Sequence, residues 1–247
     1  MALEGKVAVI TGGSRGIGKA IALRFASEGA SVAVHYNSSE KAAENVVSEI
    51  ERNGGKAICC QANVSDSKSI SAVFDRVEEH FGKIDIVVAS AGVLLRKPLL
   101  ETSDEEFDHI FKTNVYGAFY TAREAGKRIA SNSDGRIILI SSTATKLMSS
   151  LESVYGASKG AVTQLAKHLA MELGSRSITV NAISPGPIDT DMLADRMASE
   201  EHRKMFQQSI ALGRVGLPEE IADVALFFAK RESKLITGQE LYVNGGM

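Results

Sequence analysis

Cysteine is almost absent: Cys59 and Cys60 are the only two among 247 residues, they are adjacent, and they fall in an apolar run. Neighbouring side chains of a strand point to opposite faces, so this pair offers neither a disulfide framework nor a metal-ligand spacing. Reduced core thiols are expected, which fits a cytoplasmic protein, and no metal site is expected. An excess of one charge is missing too. The 28 Lys and Arg against 30 Asp and Glu leave a net charge of −2, with no basic footprint for nucleic acid. No apolar run approaches the roughly 20 residues that span a membrane. Met1 to Gly5 leads directly into a strand pattern, with no targeting segment in view. Linkers, low-complexity stretches and composition shifts are also lacking, so residues 1–247 are expected to form one domain.

What is present is a hydrophobic fraction of 44%, arranged as short β-branched runs that alternate with longer helical patterns. Strands are expected at 6–11, 31–36, 56–61, 84–89, 136–141, 178–184 and, as a last edge strand, 240–243. Helices are expected at 17–28, 40–52, 68–80, 104–130, 155–173 and 218–229, with an irregular helical region over 190–208. Repeated strand–helix units give a seven-stranded, mostly parallel sheet with helices on both faces, a doubly wound (Rossmann) α/β domain. Ligands of such sheets bind beyond the carboxyl ends of the strands.

After the first strand comes Thr11-Gly12-Gly13-Ser14-Arg15-Gly16-Ile17-Gly18, which opens a helix. Glycines allow a tight turn close to a diphosphate, and a helix N-terminus offers unpaired N–H groups, so this loop reads as a dinucleotide site. The second strand ends Tyr36-Asn37-Ser38, with no carboxylate before Glu40 to accept from ribose hydroxyls. Arg15 is a cation placed to meet a 2′-phosphate, which favours NADP(H) over NAD(H). Solvated charge at Arg15 and helix capping at Asn37 and Ser38 would leave the same residues.

Tyr155 and Lys159 stand four residues apart in Ser153-Val-Tyr-Gly-Ala-Ser-Lys-Gly-Ala161, on one face of a helix. A nearby cation lowers a phenol's pKa, which makes the pair a candidate acid/base unit. A solvated pair on an amphipathic helix would show the same spacing. The fifth strand ends in Ser141-Ser142-Thr143, hydroxyls at the same rim. Asn114 is a poor helix former inside a helical pattern, where its amide or its main-chain carbonyl can have a separate task.

Together these marks resemble the short-chain dehydrogenase/reductase family over essentially the whole chain. They are Thr11-Gly12-x-x-x-Gly16-x-Gly18, Asn114, Ser142, Tyr155-x-x-x-Lys159, Asn181 followed by Pro185-Gly186, and Gly238-Gln239. The resemblance implies that Tyr155 is the proton donor to a substrate carbonyl and that Ser142 hydrogen-bonds the same oxygen. Lys159 would lower the Tyr155 pKa and bind nicotinamide ribose, and Asn114 would hold a water that leads to solvent. Backbone at Pro185, Gly186, Ile188 and Thr190 would hold the carboxamide. Two positions depart from the family pattern: Ala89-Ser90-Ala91-Gly92 stands where Asn-Asn-Ala-Gly is usual, and Asn63-Val64 where Asp-Val is common. Ser90, Ala91 and Gly92 keep the backbone contact to the adenosine side, and Asn63 can still reach an adenine amino group through its oxygen.

Among the family's branches the chain looks most like 3-oxoacyl-(acyl-carrier-protein) reductases and related ketoreductases of secondary metabolism, through Gly213-Arg214-x-Gly216-x-Pro218-Glu219-Glu220-Ile221-Ala222. A small ketone or alcohol, or an acyl thioester, is the implied substrate. Docking of an acidic acyl carrier protein is disfavoured, since Arg176 supplies one basic position but the 131–134 turn supplies none. Residues 190–211, with Met192, Leu193, Met197, Met205 and Phe206, are expected to form a substrate lid, unless they pack as helix core. The resemblance also implies a homotetramer built on the Tyr155 helix and the long helix before it. A dinucleotide-bound scaffold without turnover, or a non-redox activity on the same fold, are the alternatives.

Overall fold

The computed structural model describes all residues, 1–247. Seven strands form one parallel sheet: β1 (Val7–Thr11), β2 (Ser31–Tyr36), β3 (Lys56–Gln61), β4 (Ile86–Ala89), β5 (Gly135–Ile140), β6 (Ile178–Pro185) and β7 (Glu240–Val243). Their spatial order is β3-β2-β1-β4-β5-β6-β7, so the chain reverses direction across the sheet between β1 and β4. That reversal opens a crevice at the carboxyl ends of these two strands.

Period-2 alternation divides the core in two. Ala8 and Ile10, Val32 and Val34, Ile86 and Val88, and Ile138 and Ile140 face one layer. There they pack on α1 (Gly16–Ser27), α2 (Glu40–Arg52) and α9 (Pro218–Ala229), through Ile21, Phe25, Val46, Ile50, Ile221 and Phe228. Val7, Val9, Val87, Ile137, Leu139 and Val180 face the other. That side is covered by α3 (Ser67–Phe81), α5 (Gly117–Arg128) and α6 (Ser153–Leu173). The continuous apolar strands are what a parallel sheet buried on both faces requires.

Local signals set the helix ends. Asp66 accepts the Lys68 N–H at 2.9 Å to start α3, and Gly82, at φ 80°, ends it. Ser103 and Glu106 close a reciprocal capping box at the start of α4 (Asp104–Phe111). At α9, Arg214 grips Glu220 through two bonds of 2.8 and 2.7 Å, and Glu220 also accepts the Leu217 N–H. These bonds hold the Glu220 carboxyl down at about 2. The Gly213–Ala222 motif thus works here as a helix cap.

Three expectations are corrected. The helix expected over 104–130 is interrupted: a π turn over Lys112–Tyr116, in which the Gly117 N–H reaches back five residues to the Lys112 carbonyl, separates α4 from α5. β4 begins at Ile86 rather than at 84, because the Asp85 carboxylate takes the Val7 N–H at 2.9 Å. The 190–208 region divides into a 3-10 turn (Asp191–Leu193), α7 (Ala194–Ala198) and α8 (Glu200–Ser209), with Ser199 capping α8. Within it Leu193 and Phe206 pack with Ile210, against Met197, Val215 and Met247, while Met192 and Met205 are exposed.

Candidate functional site

The glycine loop leaves β1 at the reversal point. Thr11 Oγ1 donates to the Val88 carbonyl and accepts the N–H groups of Ser90 and Ala91 at 3.1 and 3.3 Å, stitching the ends of β1 and β4 together. Gly12 has φ +67°, and a Cβ there would lie 2.9 Å from the Ala91 Cα, so no larger residue fits. Gly16 also has positive φ, and Gly18 packs against the Gly12 carbonyl group. Ser14 is buried, and Ile17 packs against the core. No side chain caps the N-terminus of α1 and no acid lies in its first turn, so its N–H groups are open to an anion.

Around the ribose end, Asn37 and Ser38 are exposed, and the Asn37 carbonyl accepts from Gln61. Tyr36 is buried and its hydroxyl donates to Glu40 at 3.0 Å, which tethers that carboxylate. Arg15 lies in the open with its guanidinium 3.9 Å from Asp191. Val64 packs in the core, and Asn63 Oδ1 accepts from both the N–H and the hydroxyl of Ser65, so its oxygen is engaged in a turn. Pro185 ends β6, and Gly186 sits so close to Asn244 that a Cβ would lie 2.9 Å from its Cα. Ile188 is buried, and the Thr190 side chain rests over Gly16.

The chemical end converges as expected. Lys159 Nζ donates to the Ile140 carbonyl at 2.9 Å. Asn114, in the π turn, accepts the Val93 N–H at 2.8 Å and donates to the Val93 carbonyl and to Ser158 Oγ. A Cβ on Gly92 would stand 3.3 Å from both Asn114 Oδ1 and Lys159 Nζ, which places the amide and the ammonium close together over that glycine. Ser142 Oγ accepts the Ala144 N–H at 3.1 Å.

The electrostatics differ from the expectation. Tyr155 is 9% exposed and Lys159 6%. Burial raises the Tyr155 pKa, its hydrogen bond with Ser142 opposes that, and the charge of Glu152 adds to the rise. Burial lowers Lys159 to about 8. The ammonium lies 5.9 Å from the centre of the Tyr155 ring and points to Ile140, so the expected lowering of Tyr155 by Lys159 is not seen.

Two residues, His35 and Glu240, went unread in the sequence as parts of the site. The buried His35 sits under the loop: its Nδ1 accepts the Gly12 N–H at 3.1 Å, and Nε2 donates to the Ala62 carbonyl at 3.0 Å. A backbone N–H can only donate, so the ring is neutral. A lone imidazole inside an apolar strand was the available signal. Glu240 Oε1 accepts from Ser184, Thr145 and Thr163, at 2.6, 3.1 and 3.2 Å. Asn181 ties β6 to the Ile236 carbonyl and the Gln239 N–H. Arg176 turns its guanidinium onto the Gly126 and Ile129 carbonyls at the end of α5, which leaves it poorly placed for an acidic partner.

Comparison with known proteins agrees with this geometry. A family model described as enoyl-(acyl carrier protein) reductase matches residues 12–247. The short chain dehydrogenase mdpC of Emericella nidulans is 42% identical, covering 99% of this chain and 96% of the relative. Versicolorin reductase stcU of the same organism is 40% identical over the same shares. The solved structure of the angucycline C-6 ketoreductase LanV with bound NADP superposes with a TM-score of 0.93 at 36% identity, covering 99% of this chain and 96% of that one. The chain belongs to the short-chain dehydrogenase/reductase family, a group of oxidoreductases.

Burial also makes the loop sensitive to acid. His35 is held down from 6.5 to about 4, so the unfolded chain takes up the proton first as pH falls. Its contribution is complete above pH 6.5 and is lost between there and about 4, roughly 3 kcal/mol in all. Urea unfolding at a series of pH values should show that decline. His35→Asn, which cannot titrate, should flatten it; an unchanged slope would show that other groups are responsible.

Proposed function

We propose that the chain is an NADPH-dependent reductase of ketones, working in reverse as an alcohol dehydrogenase. The observation that carries this reading is the meeting of Ser142, Tyr155, Lys159 and Asn114 beside a glycine loop at the reversal point of the sheet. Versicolorin reductase and the NADP-bound LanV are similar along nearly their whole length, which supports both the reaction and the cofactor.

The residues present fit a dinucleotide. The Gly12–Gly18 cradle excludes a Cβ where a diphosphate would approach, and the uncapped α1 N-terminus faces the same place. Arg15, Asn37 and Ser38 would hold a 2′-phosphorylated ribose, with the Glu40 carboxylate tied back by Tyr36. Asn63 and Val64 would border the adenine, and the Ser90–Gly92 backbone the adenosine side. Lys159 and Tyr155 would hold the nicotinamide ribose, and Pro185, Gly186, Ile188 and Thr190 the carboxamide. When bound, NADPH supplies the hydride.

The chain manages position and the proton. Ser142 Oγ receives the Ala144 N–H and meets the Tyr155 hydroxyl, and its hydrogen would turn to the substrate's carbonyl oxygen once substrate is bound. Tyr155, with its pKa raised, carries its proton at neutral pH and gives it to that oxygen. Lys159, at about 8, stays mostly charged at neutral pH, with its ammonium on the Ile140 carbonyl. Both amide protons of Asn114 are engaged, so the group that holds a connecting water is an oxygen: Oδ1 or the main-chain carbonyl. Residues 190–211 act as the lid, with Met192 and Met205 offered to the substrate.

Tyr155→Phe should cut carbonyl reduction by about a hundredfold or more. It should leave NADPH affinity within a few-fold, since the ring stays. Turnover is followed by NADPH absorbance and binding by fluorescence titration; wild-type turnover by the variant would remove Tyr155 from the mechanism.

NADPH should bind more tightly than NADH, and Arg15→Ala should weaken NADPH about tenfold while sparing NADH. Equal losses in the two titrations would make Arg15 a support of the loop.

The chain should form a homotetramer in a cytoplasmic setting. Tyr116, Phe119, Tyr120 and Leu165 line an apolar groove between α5 and α6, and Phe227 and Leu241 are exposed on α9 and β7. Such faces suit two-fold contacts between copies. Light scattering at assay concentration should give a four-chain mass; a fully active monomer would overturn the assembly.

A further inference from the structure

The edge strand β7 reaches toward the site with two side chains. Glu240 and Tyr242 are two residues apart in a strand and so lie on one face of it, whereas Leu241, between them, faces the other way. Both meet Thr145, the last residue of the 3-10 turn (Thr143–Thr145) that follows β5. Thr145 Oγ1 lies 3.1 Å from Glu240 Oε1 and 3.2 Å from the Tyr242 hydroxyl. Lys146, the next residue, sets its ammonium 5.3 Å from the centre of the Tyr242 ring.

Two other hydroxyls share Glu240 Oε1: Ser184 at 2.6 Å and Thr163 at 3.2 Å, both buried. Buried hydroxyls need partners, and a carboxylate supplies one. Thr145 is different. It is only half-buried, and its hydroxyl has an acceptor of its own in the Ser142 carbonyl at 2.9 Å. Satisfying polar groups therefore accounts for Glu240 on Ser184 and Thr163, but not for two β7 side chains converging on Thr145. Each hydroxyl has one hydrogen, and a carboxylate only accepts. With Thr145 donating to Glu240 or to the Ser142 carbonyl, Tyr242 donates to Thr145, and the direction of the row is fixed.

What this turn controls is Ser142. Its Oγ accepts the Ala144 N–H at 3.1 Å and its carbonyl accepts the Thr145 N–H at 3.2 Å, so the turn itself holds the hydroxyl. Three residues of 3-10 helix have little stability of their own. We propose that Glu240 is a positioning residue of the reaction, which holds this turn through Thr145 so that the Ser142 hydroxyl is aimed at the substrate's carbonyl oxygen. In this role Glu240 acts through Ser142 and needs no contact with the reacting atoms. A donor to a developing charge must be in place before the charge forms, and a small displacement of it is costly. This inference rests on the carbonyl-reductase reading and adds a residue to it.

The test uses the intact enzyme with NADPH and two probe ketones, 9,10-phenanthrenequinone and ethyl 4-chloro-3-oxobutanoate, with kcat taken per folded enzyme well below the melting temperature. Glu240→Val should lower kcat by about tenfold to a hundredfold while NADPH affinity stays within about threefold. Glu240→Gln, which keeps an accepting oxygen, should recover most of the loss. Thr145→Val, which keeps the shape and removes the hydroxyl, should reproduce much of it. The deciding comparison is made on Ser142→Ala, by single turnover with excess enzyme: there Glu240→Val and Thr145→Val should each change the rate by less than about twofold, since the group they aim is gone. A merely structural Glu240 would lower the rate by the same factor in both backgrounds; that result overturns the proposal and leaves the reductase reading standing, as does wild-type kcat in both single variants. Should Glu240→Val not fold, Thr145→Val in the two backgrounds decides alone. If the wild type reduces neither ketone, the reductase reading falls and the role of Glu240 falls with it.

Discussion

An ammonium buried at the edge of the sheet dictates the layout of the catalytic end. Lys159 has lost nearly all contact with solvent, and a charge so placed must find oxygen partners in the protein. It finds the Ile140 carbonyl at the last residue of β5. That bond obliges α6 to cross the strand end closely, which brings the Tyr155 hydroxyl to Ser142, two residues beyond Ile140. Position 92 is tight as well: a Cβ there would lie 3.3 Å from both Lys159 Nζ and Asn114 Oδ1.

The elements that carry this group are joined again from behind. One carboxylate oxygen of Glu240 receives hydroxyls from Thr145, just past Ser142; from Thr163, one turn past Lys159; and from Ser184, just before Pro185. Ser141 extends the network, linking Thr163 Oγ1 with the Lys159 carbonyl. The last strand therefore adds a second brace across three segments. The phosphate end is braced likewise by Thr11 and His35, buried polar side chains whose hydrogen bonds are satisfied by backbone of the loops they support.

The sheet was legible in the sequence because a strand buried on both faces reads as an unbroken apolar run, as in Val7–Thr11 and Gly135–Ile140. The glycine loop and the Tyr155–Lys159 pair were legible because both are contiguous, with spacing set by one turn or one helix. Glu240 and His35 were not, since each acts on partners far away in the chain and neither lies in a motif with local periodicity. The apolar residues of 190–211 were ambiguous for a different reason: an inward-packed Phe206 and an exposed Met205 are neighbours on one helix, and composition cannot separate them.

The π turn at Lys112–Tyr116 amounts to a one-residue insertion in a helix, retained in place. Each α-helical residue turns the chain by about 100°, so the extra residue sets α5 back by that angle relative to an uninterrupted helix. Phe107, Phe111, Val115 and Phe119 would then have formed one stripe; instead Phe107 stacks on Phe111 at 4.5 Å, while Tyr116 and Phe119 each meet Tyr120. Deleting any single residue there would repair the helix and at the same time rotate either Asn114 away from Val93 or the aromatic groove away from α6. Length in this segment is thus constrained along with the identity of Asn114.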